Sequence, residues 1–271
     1  MFIDIHVHIG NSLNFPMNEE LVIEMIKKYN IDYCIVSNSD SVEYGHDLSP
    51  IPGSEQVSQA DSFRRSIRFA RESEVKGKVF IMPWIKPATE TVDDEFEGLV
   101  KENLDIVKGL KIHSYHSKTA LDDECVEPYL ELAEKYNLPF LIHTGGCEEA
   151  DAIHVYNVAV KYPDINFIMG HMNLGTDNKS AIDLMDKAKN LYADTAWVPV
   201  ESTIEIIRRY GSKRIMFGSD SPIDGAYTYE FNRSGEPSMY RRYFNGLEEI
   251  IGKEQYADLM YRNAMDFFKI K

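Results

Sequence analysis

The sequence predicts an α/β fold, a single (β/α)8 barrel with long loops after strands 2 and 8, and three observations carry that expectation. Eight short runs rich in β-branched or aromatic residues alternate with longer amphipathic stretches, the pattern of a parallel sheet whose crossovers are helices. No GxGxxG follows the first run, so the glycine-rich turn of an open doubly wound sheet is missing. The 271-residue length suits one barrel, and residues 1–271 read as one domain.

The eight predicted strands are Phe2–Val7, Asp32–Ser37, Lys78–Trp84, Val107–His113, Pro139–Thr144, Asn166–His171, Leu191–Thr195 and Arg214–Ser219. Met17–Tyr29, Glu55–Lys76, Asp122–Tyr136, Glu149–Tyr162 and Thr203–Tyr210 lie between them, several with apolar residues at three- and four-residue spacing, and predict outer helices. Gln255–Phe268 predicts a last helix that closes the ring. Asn38–Ser54, rich in Ser, Pro and Gly, and Ser221–Ser238, with Pro222, Gly225, Gly235 and Pro237, exceed tight turns. Loops that follow strands rise from the C-terminal face of a TIM barrel, so both are expected to cover substrate rather than to link domains.

Composition narrows the partners. Hydrophobic residues at 44% and charged residues at 27% describe a globular chain with a large core. A formal charge of −15 repels phosphate backbones and anionic lipid surfaces, so neither nucleic acid nor membrane is expected and a small-molecule substrate is. An anionic substrate would need local cations, which draws attention to Lys111. Cys34, Cys125 and Cys147 lack CxxC spacing and read as reduced thiols of a cytoplasmic protein. The start MFIDIHVHIG has no export-signal pattern, no run approaches 18 apolar residues, and a homodimer is compatible with all of this.

The chemistry starts at Asp4-Ile5-His6-Val7-His8, because alternation along a strand sends His6 and His8 to one face. Of eight histidines, five (His6, His8, His113, His143, His171) fall at or near the ends of predicted strands, where a barrel gathers its pocket; His46, His116 and His154 do not. Asp220 follows the last strand in FGSDSP. Imidazoles plus a carboxylate with one position open to water describe a zinc-type site, with manganese as the alternative ion, and His6, His8, His143 and Asp220 supply that set. His171, on the next strand round, is placed to move the water proton, and Asp220 to share that work. A core or outer-shell histidine is the bland alternative for His143 and His171.

Lys111 and His113 share a face of the fourth strand, with Lys111 about 7 Å deeper. For Lys111 the roles, in order, are pairing with a substrate carboxylate, a carboxylated bridge between two metals, and a structural ion pair. His113 is expected beside it as a substrate-binding residue. Trp84, Lys86, Tyr115, His116, Asn173 and Trp197 follow the same strand-end logic, with simple packing as their alternative. Arg233, Arg241 and Arg242 flank the last long loop and read as surface charges.

DIHVHIG, GLKIH, LIHTGG, IMGHMN, FGSDSP and YRNAMDFF, in that order, resemble the amidohydrolase superfamily. The likeness points to the amidohydrolase-related branch that includes aminocarboxymuconate-semialdehyde decarboxylase and lactonase-like hydrolases, and it covers nearly the whole chain. It implies that His6, His8, His143 and Asp220 stand at metal-ligand positions, and that His171 is either the water-activating histidine or a ligand of a second metal. Lys111 matches the strand of the carboxylated lysine in binuclear members, yet His113 lies nearer the mouth, which favours one divalent metal over two. Relatives of this kind hydrolyse lactones, amides and esters, while others decarboxylate or hydrate unsaturated acids at a similar site. The expected function is metal-dependent hydrolysis of a small, carboxylate-bearing molecule through a metal-activated water, with a metal-dependent decarboxylase or hydratase as the alternative. A deoxyribonuclease-like relative would place a glutamate where Lys111 and His113 stand, and a barrel without chemistry would show a depleted ligand set.

Overall fold

Eight parallel strands form where the β-rich runs lie, in a computed structural model that describes residues 1–11 and 17–270. β1 (Ile3–Ile9), β2 (Tyr33–Asn38) and β3 (Val79–Ile81) pair as one ribbon. β4 (Leu110–His113), β5 (Phe140–Gly145), β6 (Phe167–Leu174), β7 (Leu191–Asp194) and β8 (Ile215–Met216) pair as a second. Backbone hydrogen bonds cross both seams. Ile5 N–H donates to Phe217 O (3.0 Å) and Asp220 N–H to His6 O (2.8 Å) on one side; Lys111 N–H donates to Pro83 O (2.9 Å) and Ile85 N–H to Lys111 O (2.9 Å) on the other. The ring is thereby closed. β3 is shorter than the run that predicts it because Pro83 has no N–H for the ladder, although Trp84 still bridges Lys111.

The outer helices begin at side-chain caps. α1 (Glu19–Tyr29) starts at Asn18, whose side chain accepts from Leu21 N–H, and buries Val22, Met25 and Ile26 at helical spacing. α2 (Gln59–Glu72) starts at Ser58, later than the predicted Glu55, because the Ser58 hydroxyl accepts from Asp61 N–H. α3 (Asp94–Glu102), a four-residue α4 (Ser114–Ser117), α5 (Glu127–Tyr136), α6 (Ala152–Lys161), α7 (Lys179–Met185) and α8 (Val200–Tyr210) follow. The predicted last helix, Gln255–Phe268, is interrupted by a π-helical turn at Asp258–Arg262. There the Leu259 carbonyl, which the helix would otherwise use, accepts from Phe217 N–H (3.0 Å) just after β8, and the Asn263 side-chain amide donates to Ser212 O and Ile215 O.

Two buried clusters show which way each strand residue faces. Ile3, Ile5, Ile35, Leu141, Ile168 and Met216 plug the barrel interior together with Ala264 and Phe268. Val7, Ile9, Val36, Ile112, Ile142 and Met169 pack outward against helix residues such as Val22, Phe63, Tyr129 and Val155. On β1, strict alternation from Ile3 and Ile5 would send His6 outward. A register shift between Asp4 and Val7 adds a residue relative to β2, and the Asp4 carboxylate holds it by accepting from His6 N–H (3.1 Å). The shift turns His6 and His8 inward above Ile5.

Candidate active site

His6 sits at the centre of the upper interior, and its neighbours make room for it. A Cβ on Gly218 would stand 2.8 Å from His6 Cβ, and one on Gly170 only 2.8 Å from Ile142 O and 3.2 Å from His6 Cε1, so neither strand could carry a side chain beside the ring. His6 Nδ1 donates to Asp194 Oδ2 (2.6 Å), and Asp194 Oδ1 accepts from the His171 and Ala196 N–H groups. Burial first, then the nearby Lys111, holds the His6 pKa well below the ordinary imidazole value, so the ring is neutral. Burial pushes Asp194 up to about 6. The bond to Asp194 fixes the tautomer that leaves the His6 Nε2 lone pair aimed at the site centre.

His8 repeats the arrangement with a backbone partner. Its Nδ1 lies 3.2 Å from Ser37 O, a group that can only accept, so Nε2 again faces inward. Asp220 Oδ1 stands 2.8 Å from His8 Nε2 and 3.4 Å from His6 Nε2, and Trp197 Nε1 donates to the other carboxylate oxygen at 2.9 Å. Burial works to raise the Asp220 pKa, but the His8 contact and the surrounding imidazoles hold it well below the usual carboxylate range. One ligand atom from each of His6, His8 and Asp220 lies within 4.8 Å of the others. Two imidazole nitrogens and an ionised carboxylate oxygen that converge in a buried pocket suit a divalent ion with N/O ligands.

His171 reaches the site through unusual backbone. His171, Met172 and Asn173 at the end of β6 all have positive φ (68°, 51° and 65°), and so do Trp197 (55°) and Asp220 (62°) after β7 and β8. Non-glycine residues adopt this region at a cost, and here it occurs where three strand ends turn side chains over the barrel mouth. His171 Nδ1 donates to Ala196 O (3.1 Å), which leaves its Nε2 inward, and burial lowers its pKa to about 4. His143 stands outside the three-residue ligand group. Its ring is 4.5 Å from that of His171 and stacks on His113 at 3.7 Å. Its buried Nδ1 has no hydrogen-bond partner among the described residues, which leaves a nitrogen available to a ligand.

Lys111 rises from the layer of Leu141, its register partner, and places Nζ 3.1 Å from His6 Nε2. It is fully buried, and burial lowers its pKa to about 8 against the attraction of Asp220 and Asp194. The long stem therefore does bring the amine to the ligand group, although Lys111 does not line the open cavity.

That cavity, about 380 Å³, is lined by His8, His113, His143 and Asp220 at its base and by Trp84, Tyr115, His116, Trp197, Leu174 and Ile223 around its walls. The loop after β2 contributes Ser39 and His46, and the loop after β8 only Ile223. Tyr229 of that second loop instead packs in the outward-facing cluster and donates to Asp4 (2.6 Å). Lys86 and Asn173 are brought elsewhere: Lys86 is buried against Gln56, Val57 O and Glu90, and Asn173 bonds Ala152 N–H and Ser180. Arg242 pairs with Glu201 on the surface, and neither Arg233 nor Arg241 lines the cavity. Asp194 is the residue the sequence reading passed over; its position at the end of LYAD, a strand end like those that singled out the histidines, was the available signal.

The sequence model of the amidohydrolase family matches residues 3–270. The chain belongs to the amidohydrolase family. It is accordingly an enzyme of a metal-dependent family, with the barrel architecture described above. A manganese-bound 5-carboxyvanillate decarboxylase from Novosphingobium aromaticivorans superposes with a TM-score of 0.71 at 13% identity, over 99% of this chain and 97% of that one. A 2,6-dihydroxybenzoate decarboxylase from Rhizobium gives 0.68 at 15% identity over 99% and 98%. A probable 2-pyrone-4,6-dicarboxylic acid hydrolase from Acinetobacter baumannii, with citric acid bound, gives 0.63 at 10% identity over 99% of both chains. No curated protein matches this amidohydrolase by sequence. No helix among its described residues is long and apolar enough to cross a membrane.

Proposed function

We propose that this amidohydrolase acts on a small, carboxylate-bearing molecule, hydrolysing a lactone, amide or ester bond with one divalent ion held by His6, His8, His143 and Asp220. The observation that carries the reading is the convergence of the His6 and His8 Nε2 atoms on Asp220 Oδ1, each imidazole locked from behind by Asp194 or Ser37 O. When bound, such an ion polarises a carbonyl and lowers the pKa of water.

The chain's own groups supply the rest. His171, neutral and held through Nδ1, offers Nε2 to take a proton from attacking water, and Asp220 shares the proton beside it. Lys111 reaches the same centre with a cation that pairs with a substrate carboxylate. Trp84, Trp197, Leu174 and Ile223 exclude water from the bound molecule. Zinc is the first choice of ion for the imidazole-rich set, with manganese, which the Novosphingobium decarboxylase binds, as the alternative. The aromatic walls, together with the likeness to two decarboxylases of aromatic acids, favour decarboxylation as the second reading.

The test is a screen of the metal-loaded enzyme against lactones, amides, esters and aromatic acids, following acid release and carbon dioxide separately. Acid release that disappears on chelation and returns with zinc or manganese supports hydrolysis. Carbon dioxide release with no hydrolysis replaces it by the lyase reading, and activity indifferent to chelation overturns both.

A further inference from the structure

In the same cavity, His113 and His116 are held in opposite tautomers. An amide N–H can only donate and a carbonyl can only accept, so a backbone partner identifies the protonated nitrogen of a neutral imidazole. His113 Nδ1 accepts from His116 N–H (3.3 Å), the bond by which His113 caps the four-residue helix α4. Nδ1 is therefore bare and Nε2 carries the proton. His116 Nδ1 instead donates to Tyr44 O (2.8 Å), in a reciprocal contact in which Tyr44 N–H donates to His116 O (2.9 Å), so its Nε2 is bare. The rings lie 4.5 Å apart and both line the cavity. His113 differs in this respect from His6, His8 and His171, whose Nδ1 atoms all face acceptors. A protonated Nε2 cannot ligate a metal, but it can donate to a substrate.

We propose that His113 and His116 form a donor–acceptor pair that recognises a hydroxyl group of the substrate. The His113 Nε2–H donates to the hydroxyl oxygen, and the hydroxyl proton is donated to His116 Nε2. A hydroxyl satisfies both from a single atom. A carboxylate or ether oxygen has no proton for His116, and an ammonium group has no lone pair for His113. The Trp84 ring stacked on His113 (4.9 Å, 12°) and the His143 ring on its other face keep the donor from rotating away. The inference rests on the metalloenzyme reading only in that the same molecule brings its carboxylate to the proposed metal centre, beside Lys111.

The pair is tested on the metal-loaded full chain in two measurements. Nitrogen-15 NMR of labelled histidines reports each tautomer, and the result expected is Nε2–H for His113 and Nδ1–H for His116. Calorimetry then compares each of the three monohydroxybenzoates with its methoxy counterpart. At least one hydroxy isomer is expected to bind about tenfold or more tightly than its partner, the size of one well-placed hydrogen bond. His113→Asn retains an acceptor that caps α4, and His116→Asn retains a donor to Tyr44 O; each is expected to erase that preference while keeping the bound metal. Reversed tautomers, no isomer preferred or bound by the wild type, or a preference retained in both variants overturns the proposal. If a variant does not fold, the wild-type tautomers and preference still decide. Metal content is read in the same samples, so a chain that holds no metal overturns the metalloenzyme reading while the tautomers are decided on their own.

Discussion

The lower and upper layers of the barrel interior are built from the same strands and differ in everything else. Below, Ile3, Ile5, Ile35, Leu141, Ile168 and Met216 form an apolar plug sealed by Phe268. One layer up stand His6, His143, Asp194 and the Lys111 amine, with glycines 170 and 218 giving His6 its space. The plug needs only volume and apolarity, so it can be rigid and redundant. The upper layer needs partners for its polar atoms, because an unpaired group there carries the full desolvation cost, and of the buried histidine nitrogens His143 Nδ1 is the one left without a hydrogen bond among the described residues. A step of one strand layer separates the residues that hold the barrel together from the polar residues of the candidate site.

That division can be broken in order of expected effect. Replacing His6 and His8 together by Ala should reduce bound metal from about one ion per chain to none, while the barrel still unfolds cooperatively because the plug is intact; elemental analysis and a thermal melt check both halves. Leu141→Ala should do the reverse, costing about 2–5 kcal/mol in denaturant unfolding through the cavity it leaves, with metal per folded chain unchanged. A loss of metal in that variant would show the layers to be coupled.

Asp194→Asn sharpens the boundary between holding a ligand and being one. Without the carboxylate behind His6, metal affinity should fall about 10–100-fold, read by equilibrium dialysis, with the stoichiometry preserved. An unchanged affinity would mean that packing alone orients the ring. The smallest effect is expected in the loop after β2, where Glu43 is buried and accepts from Thr89 Oγ1 at 2.7 Å. Burial raises its pKa from 4.5 to about 7, against the pull of Thr89 and Lys86. Because the folded form holds this proton more tightly than the unfolded one, its contribution to stability is complete below the unfolded pKa and is lost as pH rises through about 7. Glu43→Gln cannot ionise, so its stability should gain on that of the wild type between pH 5 and pH 8, by on the order of 1 kcal/mol. Parallel pH profiles of the two proteins would remove Glu43 as the source.

Much of this was legible in the chain because it follows local periodicity. Alternating strand and helix runs place eight strands, and the two-residue spacing of Lys111 and His113 puts both on the face that the structure turns inward. Metal-type residues at strand ends could be collected into one site because a barrel brings strand ends together. The same logic extends to Asp194 at the end of LYAD, but acidic residues are common at the ends of surface elements, so that position does not by itself mark one that will be buried.

By itself the sequence determined the class of fold and the residue types available for a metal site, since both depend on residue type and on periods of two and of three to four residues. Tertiary structure decided which nitrogens are bare. His6 is set by Asp194, 188 residues away, and the inward turn of His6 itself by a bulge that Asp4 stabilises in register with β2. Whether Nδ1 or Nε2 carries the proton depends on the partner each imidazole meets, and those partners come from strands and loops that become neighbours only when the ring closes.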